Sequence, residues 1–79
     1  RKIALVAPEE IAEAVGQVVE ASYGIKREEI PGASVRLLGF NRVTKEMQSH
    51  IDPVIAQMLR DGALEQQGKQ IVISGTANS

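Results

Sequence analysis

Residues 44–62 read TKEMQSHIDPVIAQMLRDG, and this stretch constrains the fold more than any other. Met47, Ile51, Val54, Ile55, Met58 and Leu59 recur at offsets of 4, 7, 8, 11 and 12 from the first, which is one face of one α-helix. Pro53 falls in the middle of that run. It removes its own N–H bond to the Ser49 carbonyl and crowds that oxygen. It also pushes Asp52 away from helical angles, so that Asp52-Pro53 has the form of a fresh N-cap and first turn. The apolar phase nevertheless does not slip across the proline. The pattern therefore predicts one helix over 44–60, kinked near Ser49 to Pro53, with Thr44 as N-cap and Asp61-Gly62 as its end.

The other elements follow from this spine. Pro8 is a natural first helical residue, and Glu9 and Glu10 complement the dipole of the first turn. Ile11, Ala14, Val15, Val18 and Val19 then make an apolar stripe, which predicts a helix from Pro8 to about Tyr23 with Gly24 as its stop. Ile25 opens a short extended connector, and Lys26-Arg27-Glu28-Glu29 reads as a solvated loop. Pro31 starts a short second helix to Leu38, with Val35 and Leu38 facing inward, Gly39 ending it and Phe40 as a core plug. After the long helix, residues 63–66 and 69–74 read as two strands around a turn at Gln67-Gly68, with Leu64, Ile71 and Ile73 on one face by alternation. Residues 1–7 are expected to be a lead-in or linker, 8–74 the domain, and 75–79 a disordered tail. The start at Arg1 reads as a fragment taken from a longer chain.

The fold class expected is α+β, mainly helical: a winged helix-turn-helix of three helices and a C-terminal two-stranded hairpin as the wing. Seventy-nine residues suffice for one core. No apolar run is long enough for a membrane span, and the absence of a secretory pattern gives a cytoplasmic, monomeric domain as the expectation.

Several chemistries have no residues to carry them. There is no cysteine, and His50 is the sole histidine, which is too few ligands for a metal site. No nucleophile turn or phosphate-binding glycine loop is present. Neither catalytic residues nor a cofactor are expected. The net charge of -1 also denies the chain the basic field common among nucleic-acid binders. From Asn41 onward Arg42, Lys45, Arg60 and Lys69 balance Glu46, Asp52, Asp61 and Glu65. Binding to phosphate must come from local placement of a few cations.

The stretches Pro8-Glu9-Glu10-Ile11, Ile30-Pro31, Leu37-Leu38-Gly39-Phe40 with Arg42 and Thr44, and Leu59-Arg60-Asp61-Gly62-Ala63-Leu64 carry a further signal. Over roughly residues 8 to 73 the chain resembles the C-terminal domain of unknown function that ends large bacterial superfamily I helicase-like proteins. Those proteins pair an ATP-dependent helicase core with a nuclease-like domain. The resemblance implies a winged-helix module attached to a nucleic-acid-processing enzyme, with the helicase and nuclease domains as intramolecular partners. It carries no catalytic residue to this chain.

In a helix-turn-helix the N-terminal part of the second motif helix enters the major groove. Arg42 and Lys45 are then candidates for phosphate, Gln48 and Ser49 for base edges, and Lys69 for the wing. Gln66, Gln67 and Gln70 flank Lys69, while Lys26, Arg27 and Arg36 are weaker extensions of the same surface. The plainer alternative is that these residues are the solvated side of an amphipathic helix and hairpin. Two functions remain open: weak, largely non-specific binding of duplex DNA, or protein docking with no nucleic acid. For docking, Val19, Val43 and Val72 with Ile3, Leu5 and Val6 form the expected patch, while Met47 and Met58 are expected to fill the core.

Overall fold

A computed structural model describes residues 2–74; Arg1 and the predicted tail, 75–79, lie outside the described residues. Three α-helices and a three-stranded antiparallel sheet are present among them: α1 (Pro8–Ser22), β1 (Ile25–Lys26), α2 (Ile30–Leu37), α3 (Lys45–Asp61), β2 (Leu64–Gln67) and β3 (Gln70–Ile73). Short 3₁₀ turns precede α1 and α2, at Ile3–Leu5 and Arg27–Glu29. The predicted order of helices and hairpin is present. No helix among the described residues is long and apolar enough to cross a membrane.

Helix α3 is one uninterrupted element with Pro53 inside it. The reason is visible in its core face. Ile51 and Ile55, on either side of the proline, are both fully buried, and Met47, Val54, Met58 and Leu59 pack against the same core. Burying an isoleucine contributes about 1.5–3 kcal/mol, so two of them outweigh the one hydrogen bond that the proline removes. Thr44 caps the helix, its hydroxyl accepting from the Met47 N–H at 3.2 Å.

Each helix ends on a left-handed residue. At α2 the Phe40 N–H donates to the Val35 carbonyl (2.9 Å) and the Gly39 N–H to that of Arg36 (3.1 Å). With Gly39 at φ 101° this is a Schellman stop, and it folds Phe40 back onto the core. At α3, Gly62 (φ 83°) does the same, with Ala63 N–H on the Met58 carbonyl at 2.9 Å. The stop after α2 lengthens its connection to α3: residues 38–44 separate them, where the sequence reading expected about five.

Two parts of the expected fold are corrected. The sheet has three strands, not two, in the order β1-β3-β2. Ile25 and Lys26, read as a connector, pair with Ile71 and Gln70. Strand β3 is thus central, and Ile71, nearly fully buried, lies between Ile25 and Gln66. The hairpin turn is also shifted by one residue. Gly68 (φ 62°) and Lys69 form the two-residue loop, a positive φ at its first position being that of a type II′ turn, so Lys69 stands at the tip of the hairpin.

The core joins Ile11, Val15 and Val19 of α1, Val35 of α2, and Ile51 and Ile55 of α3 to Leu64 and Ile71 of the sheet. Ile3 and Val6 belong to it as well, at 3% and 6% exposure. Together with the burial of Val19, this removes the predicted docking patch: of its three lead-in residues only Leu5 stays exposed, and Val43 and Val72 are partly covered. The 3₁₀ turn at Ile3–Leu5 explains the difference, since it turns Ile3 and Val6 inward while Leu5 faces out.

Candidate nucleic-acid interface

The register of the sheet decides where the cations meet. Lys26 pairs with Gln70, the residue next to Lys69 at the hairpin tip. Lys26 and Arg27 are therefore carried to the wing, although they are more than forty positions away in sequence. With Gln66, Gly68 and Glu28 they line a recess of about 460 Å³ that also includes Lys69. Three cations face one carboxylate there. All three are exposed, and among the described residues none of their side chains has a hydrogen-bond or ion-pair partner.

A second recess of about 300 Å³ adjoins the first, with Arg27 and Glu28 common to both. Its other walls are Pro31 of α2 and Gln48 and Asp52 of α3. Arg27 thus connects the hairpin tip to the polar face of the long helix. Its position follows from the 3₁₀ turn between β1 and α2, which leaves Arg27 exposed while Ile30 next to that turn is completely buried.

The five predicted site residues are not all brought together. Lys69 and Gln48 line the two adjoining recesses. Lys45, the first residue of α3, lies three positions before Gln48 and so shares its side of the helix. Arg42 is exposed in the bend ahead of α3 and lines neither recess. Ser49 is turned away from them. Its hydroxyl donates to the Glu46 carbonyl at 2.6 Å, so it is satisfied within its own helix. Arg36 does not extend the surface either; its guanidinium lies over Gly32 beside Val43.

Lys26 and Arg27, expected only as weaker extensions of this surface, lie in the same recess as Lys69. Their neighbours Glu28 and Glu29 made the loop look internally balanced. The signal that places them elsewhere is β-pairing of Ile25-Lys26 with the hairpin, which two residues cannot announce by alternation.

No metal site competes for this surface: the described residues contain no group of three or more histidine, cysteine, aspartate or glutamate side chains placed to hold an ion. No protein-family model matches the chain, and no curated protein or solved structure matches it.

Proposed function

We propose that the chain is an accessory winged-helix module that binds duplex nucleic acid weakly, through phosphates, within a larger helicase-like protein. In this reading it is a cytoplasmic binding element and not itself an enzyme. The helix order, the hairpin after α3 and the pairing of β1 with that hairpin support the winged-helix architecture. The helicase context rests on the resemblance of the LLGF-x-R stretch and its flanks.

The observation that carries the binding role is the meeting of Lys26, Arg27 and Lys69 in one recess that continues to Gln48 on α3. A chain of net charge -1 has no long-range attraction for DNA, so three unpartnered cations on one side are its means of holding phosphate. Gln48 and Lys45 lie on the helix that would face the groove. Asp52 and Glu28 in the same recesses limit affinity and argue against a deep, high-affinity contact.

The test is an NMR titration of the chain with short duplex DNA at low salt. Amide shifts confined to residues 25–28, 45–52 and 66–70 are expected, fading at physiological salt. Shifts scattered over α1, or none at low salt, would leave docking to protein as the better function.

A further inference from the structure

The end of the sheet carries more binding groups than the cationic recess alone. Residues paired across antiparallel strands point to the same face. Lys26, Gln70 and Gln67 therefore stand in one row over β1, β3 and β2. All three are exposed, on the face opposite to the buried Ile71. The row contains no carboxylate, and its two glutamines are neutral donors that a phosphate does not repel. Gly68 and Lys69 stand beside it at the hairpin tip, and Arg27 follows Lys26 at the other edge. Glu65 shares the face but lies two residues further from the tip, where its carboxylate accepts from the Ser74 hydroxyl at 3.3 Å.

Helix α3 is built differently. Its first half exposes Lys45 together with Glu46 and Asp52, and Arg42 ahead of the helix only brings that sum to zero. Groups able to read base edges are few there as well. The Ser49 hydroxyl is held by the Glu46 carbonyl, and His50 lines the cleft toward α1. Gln48 remains, and it shares its recess with Asp52. Phosphates of both strands flank a helix seated in the major groove, so a carboxylate on that helix meets like charge at close range. The recess at the hairpin tip instead sets three cations against Glu28 alone.

We infer, on the footing of the phosphate-binding function proposed above, that the end of the sheet holds the duplex and that α3 borders it without entering the groove. Lys26, Arg27 and Lys69 carry the phosphate contacts, with Gln67 and Gln70 as neutral donors beside them. Asp52 is the residue that keeps α3 out. Its repulsion is small while the hairpin leads and rises as the helix approaches the base edges between two phosphate backbones. Affinity then follows the number of phosphates met, and base sequence has no reader.

The experiment is fluorescence anisotropy of the 79-residue chain with two labelled duplexes of unrelated sequence, over a range of salt concentrations. Lys26→Gln and Lys69→Gln are each expected to make the slope of log affinity against log salt shallower by about 0.9, the value of one phosphate contact. Lys45→Gln should change it by less than about half of that. Asp52→Asn should strengthen binding roughly twofold to fivefold, the range for one exposed charge. The two duplexes should bind alike. All these positions are exposed, and an unchanged thermal melt checks that each variant keeps its fold. Suppose the parent chain binds but Lys45→Gln acts as strongly as Lys69→Gln, or the duplexes differ in affinity and Gln48→Ala erases the difference. Then α3 lies in the groove, and the inference is overturned while the phosphate-binding function stands. No binding even at low salt overturns that function and the inference with it.

Discussion

Two residues sit in places where their side chains cost stability. Tyr23 closes α1 in the left-handed region at φ 54°, a position usually taken by glycine, and its side chain is 89% exposed. Gly24 follows at φ 124°, where an added Cβ would stand 3.0 Å from the Gln70 Oε1. The two are not interchangeable. Tyr23→Gly should stabilise the fold by about 0.5–1 kcal/mol, and Gly24→Ala should destabilise it by at least about 1 kcal/mol, both read by chemical denaturation. If both substitutions act alike, this account of the turn fails. Ser34 is the second residue: its Oγ is buried and, among the described residues, has no hydrogen-bond partner. Ser34→Ala removes an unsatisfied hydroxyl from a helix and should raise stability by about 1 kcal/mol, where a hidden structural bond would make it destabilising.

At the scale of elements, the long helix shows how far apolar phase reaches as a guide. The alignment of Met47 and Ile51 with Ile55 and Met58 across Pro53 was legible in the sequence, and the helix is continuous. So were Gly39 and Gly62 as helix stops, because each side chain order around them has one low-energy solution. Strand β1 was not legible. Two residues have no period, and their partner Ile71 lies far along the chain. Nor was the burial of Ile3 and Val6, since a single 3₁₀ turn separates a core-facing pattern from a linker. A prediction belongs to that turn. Ile3→Ala should cost about 2–5 kcal/mol, the value for a core isoleucine, in a thermal melt. A cost below about 0.5 kcal/mol would show that residues 1–7 are a linker after all.

The whole molecule gathers three of its nine lysines and arginines in one recess, although its net charge is only -1. Cations gather where the sheet brings Lys26 and Arg27 beside Lys69, and α1 carries glutamates alone. This arrangement explains why the site was only partly readable beforehand. The placement of Gln48 was legible because a helix face follows from local pattern, while Lys69 was expected in the strand just after the turn and stands in the turn itself. The convergence of Lys26 and Arg27 with Lys69 was not legible because it depends on strand pairing, and the Ser49 hydroxyl, a candidate for base edges, is held by its own helix.

The proposed binding role is tested most directly by how affinity for duplex DNA changes with salt. Each phosphate contact contributes about -0.9 to the slope of log affinity against log salt concentration. Lys26, Arg27 and Lys69 together predict a slope of roughly -2 to -3, and Lys69→Gln should make it shallower by about 1. A slope near zero, or one that the loss of Lys69 leaves unchanged, would contradict the account and remove the cationic recess from function.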